Sequence, residues 1–187
     1  MPRDVYLDTA RDCILDLGWR RTTLTEIARR AGVSRMTIYR AWPDMKQLLG
    51  DLMTREWGAV VAHAVAADAD REPVDRLVGG IVGTVRALRD NDLFLRIVEL
   101  DPELMLPYLL SRRGRSQDAV LAITTEQIRA GQASGAIREG NPTAIARALL
   151  LATHGFVLSA HTMVDDDVTE AELDAELRLL LAGALAP

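Results

Sequence analysis

A short basic segment with a central glycine carries the clearest chemical pattern in the sequence, LTEIARRAGVSRMTIYRAW at residues 24–42. Gly32 separates two short apolar helical patterns, which is the arrangement that a helix-turn-helix requires. Ser34 is a favourable N-cap for the second helix. The side chains that then fall in its first turn and on the adjoining surface are Arg35, Met36, Thr37, Tyr39 and Arg40. Because helix-turn-helix proteins place the first turn of this helix against base edges, the segment predicts DNA recognition.

The side chains of this segment divide into an inward and an outward set. The inward set is apolar and is expected to form a small core: Leu24, Ile27, Ala28, Val33, Ile38 and Trp42. In the outward set, an arginine such as Arg35 or Arg40 can donate two hydrogen bonds to guanine O6 and N7. Met36 can contact only a thymine methyl. Tyr39 has a second interpretation, as a core aromatic.

The charge of the chain is unevenly distributed. The whole sequence has a formal net charge of −5, but residues 18–46 contain seven basic and two acidic side chains, a net charge of +5. From Trp57 onward, twelve arginines are outnumbered by nineteen acidic residues. A local positive face is sufficient for phosphate contacts, and an acidic remainder limits nonspecific binding. Within the basic segment, Arg29 and Arg30 fit a solvated helical face better than a DNA contact.

The elements that position these residues are predicted to be helices throughout. Helical periodicity runs almost from end to end without alternating apolar and polar residues, which predicts an all-α protein of about nine helices. The first three helices are expected to make residues 1–46 a helix-turn-helix domain. Residues 47–187 then form a larger helical domain for effector binding and dimerisation, entered through one long helix.

Local signals set the expected helix boundaries. Thr23 with Glu26, and Thr169 with Glu172, have the spacing of capping boxes. Asn141 and Pro142 are favourable N-cap and N1 residues for a long apolar helix that runs to about Val164. The polar residues 68–73 predict a connection. Two prolines in residues 92–110 predict short helices there.

In the helix-turn-helix segment the sequence resembles the tetracycline-repressor (TetR) family. The matching residues, in step at fixed spacing over about twenty positions, are Thr22, Thr23, Leu24, Ile27, Ala28, Ala31, Gly32, Val33, Ser34, Thr37, Ile38 and Tyr39. Trp42 replaces the aromatic Phe of the family. The family's lysine at the start of the fourth helix falls on Met45, with Lys46 one place later. The pattern I-x-x-G-x-x-x-G-x-I-R at residues 128–138, followed by Asn-Pro, extends the resemblance into the second half.

The resemblance implies roles for individual residues of the segment. It makes Arg35, Met36 and Arg40 candidate base-reading residues. It also implies a set of phosphate contacts, made by Thr23, Thr25, Thr37, Tyr39 and Lys46.

The resemblance also implies partners. The last two long helices would pair with their copies in a second subunit, and the homodimer would bind double-stranded DNA at an inverted-repeat operator. Its reading helices would lie roughly 34–36 Å apart. The central helices would enclose a cavity for a small-molecule effector that releases a repressor from DNA, although activation and ligand-independent repression remain alternatives.

Candidates for the effector pocket are aromatic and histidine side chains beyond the basic segment, since pockets are largely apolar with few polar groups. They are Trp57, Phe94, Tyr108, His154 and Phe156. Each can instead fill the core. His154 and His161 are seven residues apart, but two histidines without a third ligand fit a helix interface better than a metal site. The sequence therefore predicts no metal and no cofactor.

Enzymatic function is the main alternative from another class, and its motifs are missing from the sequence. There is no phosphate-binding glycine loop, no G-x-S-x-G and no HExxH, so we expect no catalytic residue. Glu99, Asp101 and Glu103 flank Pro102 as helix-capping acids would. A second alternative is an all-helical small-molecule-binding or interaction protein without operator binding. A single cysteine, no signal-peptide core and no apolar run of about 18 residues predict a cytoplasmic protein without membrane insertion.

Overall fold

Helices make up all the regular structure of residues 2–67 and 70–187, the part of the chain that the computed structural model describes. The described residues form ten α-helices: α1 (Pro2–Leu17), α2 (Leu24–Arg30), α3 (Arg35–Ala41), α4 (Met45–Ala67), α5 (Pro73–Arg89), α6 (Asp92–Leu100), α7 (Leu106–Leu110), α8 (Arg115–Ala133), α9 (Pro142–Leu158) and α10 (Glu170–Leu185). Three 3₁₀ turns are Trp19–Arg21, Pro102–Leu104 and Ala160–Met163. The predicted all-α fold is confirmed, and the proline-rich stretch does form short pieces, α6 and α7. The predicted connection at 68–73 begins outside the described residues.

The chain folds as two compact units. The first unit comprises residues 1–58 and 90–116, and the second comprises residues 59–89 and 117–187. The helix α4 contributes to both. The expected functional division into residues 1–46 and 47–187 stays a prediction. Within the described ranges, no helix is long and apolar enough to cross a membrane.

The core of the first unit joins the helix-turn-helix to α1 and α6. Ile14, Ile27 and Ile38, from α1, α2 and α3, are completely buried. Leu93 and Ile97 extend the same cluster from α6. Complete burial of so many aliphatic side chains stabilises a small three-helix head through the hydrophobic effect. The single cysteine, Cys13, is buried in this core, and its desolvation raises the pKa of the thiol.

The second unit is built around α5, α9 and α10, which pack on one another. Its apolar core contains Val78, Val82 and Val85 of α5 and three leucines of α10. Gly131 lets the end of α8 approach the following loop, because a Cβ there would lie only 2.4 Å from Ile137 Cδ1. This explains one glycine of the pattern seen in the sequence at residues 128–138.

The helix caps agree closely with the local sequence signals. Thr169 and Glu172 form a complete capping box, and the Asn141 side chain accepts hydrogen bonds from two backbone N–H groups at the start of α9. The end of α9 differs from expectation, since the helix stops at Leu158 and a 3₁₀ turn follows. Thr23 caps α2, but the Glu26 carboxylate binds two arginines instead of completing a capping box.

Candidate nucleic-acid interface

The turn between α2 and α3 depends on a glycine. Gly32 has φ +67°, a left-handed conformation that side chains with a Cβ adopt at a cost. The Val33 N–H donates to the Ala28 carbonyl at 3.0 Å, which closes the end of α2. Ser34 then accepts the Thr37 N–H and begins α3. These local bonds set the direction in which α3 leaves the turn.

One face of α3 is buried and the opposite face is open to solvent. Ile38 and, just after the helix, Trp42 are buried in the core of the head. Met36 is 63% exposed and Tyr39 is 45% exposed, and both arginines of α3 are exposed beside them. Exposure at this level excludes a core role for Tyr39. The reading candidates Arg35, Met36 and Arg40 therefore share a single surface with Tyr39.

The candidate phosphate contacts surround this surface. Thr23 and Lys46 are exposed at the first turns of α2 and α4, and Thr25 and Thr37 are half-buried. The Thr37 hydroxyl lies 3.0 Å from that of Ser34. The Thr23 hydroxyl accepts the Glu26 N–H at 3.1 Å, which holds the N-terminus of α2. These four positions, together with Tyr39, stay predictions as DNA contacts.

Arg29 and Arg30, at the end of α2, are bound by acidic side chains. Glu26 accepts hydrogen bonds from Arg29, at 2.7 Å, and from Arg30, at 2.9 Å, and Arg30 also contacts Asp16. Hydrogen bonds from Arg29 and Arg30 lower the pKa of Glu26 to about 2. Hydrogen bonds to Asp16 and Glu26 raise the pKa of Arg30. Arg29 is solvated, as expected, whereas Arg30 is half-buried between the two carboxylates.

The C-terminus of α3 is held by an aromatic and ionic cluster that sequence analysis missed. The Trp42 ring meets the Tyr6 ring edge-on at 6.5 Å, and the Arg3 guanidinium lies 4.8 Å from its centre. Its indole N–H donates to Asp51 at 2.8 Å, and Arg3 and Arg115 bind the same carboxylate. Burial opposes ionisation of Asp51, but hydrogen bonds from Trp42 and Arg115 make the net effect a lowered pKa.

A second missed contact joins the turn before α2 to the end of α6. Asp101 is buried, and its carboxylate accepts the Trp19 backbone N–H at 3.0 Å. Arg20 lies 3.4 Å from the same carboxylate and donates to Glu103 at 2.7 Å. The acids near Pro102 were expected to cap a helix. Asp101 instead binds Trp19, which lies 82 positions earlier in the sequence, and the adjacent Arg20, and no local signal indicates such a pairing.

Three of the pocket candidates lie in the first unit. The Trp57 and Phe94 rings meet edge-on with centroids 6.1 Å apart, and Phe94 is buried. The Trp57 indole N–H is buried, and none of the residues that the structure describes accepts a hydrogen bond from it. Tyr108 is half-buried on α7 and is covered by the Arg112 guanidinium, 5.0 Å from the ring centre.

The other two candidates lie in the second unit, on α9. His154 is half-buried, and desolvation lowers its pKa. Phe156 packs partly buried against the apolar core of that unit. His161 does not share a helix with His154, because it lies in the 3₁₀ turn after α9. In the described part of the chain, no three His, Cys, Asp or Glu side chains are arranged to hold a metal ion.

A helix-turn-helix head with an exposed basic reading helix defines a DNA-binding regulator as the class of protein, and comparisons with known proteins identify the family. A family model described as bacterial regulatory proteins, tetR family, matches residues 7–52. A protein of Mycobacterium bovis, named as an uncharacterized HTH-type transcriptional regulator, is 36% identical over 179 residues, which cover 96% of this chain and 92% of that protein. A similarly named protein of Mycobacterium tuberculosis is 35% identical over the same shares.

Solved structures share the fold along nearly the whole chain. The structure of the R. erythropolis transcriptional repressor QsdR, from the TetR family, aligns with 100% of this chain over 96% of its own length, with a TM-score of 0.69 at 19% identity. A protein of unknown function from Rhodococcus sp. RHA1 has a TM-score of 0.74 at 22% identity, with 100% and 96% covered. The chain belongs to the TetR family of bacterial regulatory proteins and is a helix-turn-helix transcriptional regulator. Its relatives are regulators of transcription, a class that is not enzymatic.

Proposed function

We propose that the protein is a homodimeric repressor that binds an inverted-repeat operator and leaves it when a small-molecule effector binds. The observation that carries DNA reading is the exposed face of α3, where two arginines stand beside an exposed Met and Tyr opposite a buried Ile. No ion pair to Arg35 or Arg40 is formed by the described residues, unlike the neighbouring Arg29 and Arg30. Their guanidiniums are therefore available for guanine O6 and N7.

The surfaces of α9 and α10 support a dimer. Each helix buries one stripe in its own unit and leaves the opposite stripe open. On α9 the exposed stripe consists of Ala144, Arg147, Ala148, Leu151, Ala152 and Gly155, and on α10 it includes Ala175, Glu176, Leu179, Leu180 and Gly183. Small residues allow close approach of helices, and the three leucines are each more than 60% exposed. Burying a leucine contributes about 1.5–3 kcal/mol, so pairing these helices with their copies is favourable.

Effector release requires a ligand that binds one arrangement of the dimer better than another. A coupling of about 1–3 kcal/mol is typical of such linkage. The pocket candidates remain Trp57, Phe94 and Tyr108 in the first unit and His154 and Phe156 in the second. Among them, the buried Trp57 N–H favours a ligand with a hydrogen-bond acceptor, because an unpaired buried donor is costly.

Operator binding is tested with duplexes enriched by in vitro selection on the full-length protein. We expect the enriched sequences to contain an inverted repeat. Fluorescence anisotropy should then show that Arg40→Ala weakens binding by about 2–6 kcal/mol per dimer, from one bidentate contact of about 1–3 kcal/mol in each half-site. Arg129→Ala is the matched control, since Arg129 is an exposed arginine on α8. Unchanged affinity and salt dependence in Arg40→Ala would refute its role, and failure to enrich any duplex would refute operator binding.

A further inference from the structure

A buried ion pair joins α5 to α10 inside the second unit. On α5, the stripe of buried valines at 78, 82 and 85 ends one turn later in Arg89, whose side chain is only 9% exposed. Arg89 Nη2 donates to Asp174 Oδ1 at 2.6 Å, and Asp174 is 4% exposed. Arg86, which is half exposed, donates from Nε to the other oxygen of Asp174 at 2.5 Å. One buried carboxylate is thus shared by two guanidiniums.

The guanidinium of Arg89 has donors that this pair does not satisfy. Its Nε and Nη1 are buried and have no hydrogen-bond partner among the described residues. Both nearby carboxylates lie on the Nη2 side of the guanidinium. Asp174 accepts a hydrogen bond from Nη2, and Oε2 of the half-exposed Glu170 lies 4.0 Å from the same nitrogen. Buried polar groups are nearly always paired in folded proteins, and an unpaired charged donor carries a large desolvation cost. The site therefore lacks acceptor oxygens on two of its three nitrogens.

The missing group is expected to carry negative charge. Arg86 and Arg89 together bring two positive charges to Asp174, and the partly exposed Glu170 offsets them only weakly because of its distance and its solvation. A carboxylate supplies acceptor oxygens and one compensating charge, and charge-assisted bonds to guanidinium are the strongest of their kind. The valines of α5 that lead to Arg89 belong to the packed apolar core of the second unit, so the neighbours of Arg89 on this helix are aliphatic and match an acid with an apolar body.

We propose that Arg89 binds the carboxylate of an apolar organic acid, with Nε and Nη1 as the donors and Asp174 holding the guanidinium in place. Arg86 and Glu170, the exposed members of the cluster, border the route from solvent. The site belongs to the second unit alone and does not depend on DNA binding. If water alone filled this site, Arg89 would respond in the same way to an organic acid and to its neutral counterpart.

The Nε–H resonance of Arg89 reports on the site directly. In a ¹H–¹⁵N spectrum of the full-length protein, this resonance is assigned by its loss in Arg89→Lys. We expect it to shift saturably with octanoate, dodecanoate or benzoate, and not with octanol, dodecanol or benzyl alcohol. The Arg86 Nε–H already donates to Asp174 and should move less. The proposal is overturned if none of the three acids shifts the Arg89 resonance saturably, or if the alcohols shift it equally.

A paired substitution separates loss of the site from loss of the fold. Arg89→Met alone would leave the buried Asp174 with only the half-exposed Arg86 as its partner, so it is combined with Asp174→Leu to remove both buried charges. The double variant should keep its helical circular dichroism and lose at least about 10-fold in affinity for the acid that binds wild type, by calorimetry. Arg129→Gln, an exposed arginine paired with Glu126, should bind like wild type. Unchanged affinity in a folded double variant would overturn the proposal. Operator binding of the same variant is measured in parallel. Because the two sites use different residues, loss of acid binding and loss of operator binding can be distinguished.

Discussion

The arginines of α2 and α3 differ in whether Glu26 binds them. Arg29 and Arg30 are bound to its carboxylate, whereas Arg35 and Arg40 stand exposed on α3. Positive charge that is already paired binds phosphate less well, because the existing partner must first be displaced. The head therefore presents fewer effective charges than its composition suggests, which favours reading of bases over indiscriminate attraction to the DNA backbone.

Removing this carboxylate should make the head less selective. We expect Glu26→Gln to bind a random duplex more tightly, with a steeper dependence on salt, because each additional phosphate contact adds about 0.9 to the slope of log K against log salt. Anisotropy titrations at several salt concentrations measure the slope. Identical slopes for the variant and wild type would show that Arg29 and Arg30 do not reach phosphate even when released.

The contribution of the Glu26 carboxylate to stability should depend on pH. The pKa of Glu26 is lowered from 4.5 to about 2 by hydrogen bonds from Arg29 and Arg30, so its contribution to stability is complete above about pH 4.5. That contribution is lost as the pH falls toward 2, because the carboxylate then protonates. The difference in unfolding free energy between wild type and Glu26→Gln should shrink over the same range.

Among the elements of the first unit, the turn that precedes α2 depends on the end of α6. Asp101 accepts the Trp19 N–H and lies beside Arg20, directly before the residues that cap α2. Within this unit, α6 also packs on α1. A displacement of α6 would therefore act on the start of the helix-turn-helix through both contacts.

The stability that Asp101 contributes should depend more on its acceptor oxygen than on its negative charge. Asp101→Ala leaves the Trp19 N–H without its acceptor and is expected to lower the free energy of unfolding by about 1–3 kcal/mol. Asp101→Asn keeps an acceptor and should lose less than half as much. Urea unfolding at one fixed protomer concentration measures both. Equal losses in the two variants would assign the contact to the negative charge facing Arg20.

Elements with local signals were predictable from the sequence, and contacts between distant residues were not. Ser34, Asn141 and Thr169 cap their helices as expected, since a cap involves only the next three or four residues. Thr23 and Glu26 have the same spacing, but two arginines compete for the carboxylate. The contacts of Asp101 and Asp174 span more than eighty residues, so nothing near them in sequence indicates their partners.

For the whole molecule, the proposed function depends on two copies acting together. A single head reads only half of an inverted repeat, and the spacing of two heads is set by whatever joins the subunits. The open stripes of α9 and α10 are the surfaces that we propose to join them. Their leucines lie mainly among alanine and glycine, which allow close packing of helices, and each stripe also carries one exposed charge, Arg147 on α9 and Glu176 on α10.

A charge placed on the α9 stripe should separate the subunits. We expect Leu151→Glu to elute as a monomer in size-exclusion chromatography with light scattering, and to lose most of its operator affinity, because Leu151 is 69% exposed in one chain and would be buried in the pair. Leu110→Glu is the matched control, since Leu110 is 77% exposed on α7 and should remain dimeric. A dimeric Leu151→Glu would place the interface elsewhere.

The only cysteine of the chain lies in the completely buried core of the head. Its raised pKa keeps the sulfur protonated and poorly nucleophilic while the head is folded. A maleimide or iodoacetamide added to native protein should therefore react only during transient openings of residues near α1. Labelling kinetics, followed by mass spectrometry without any engineered tag, would report how often the head opens and how strongly bound DNA suppresses those openings.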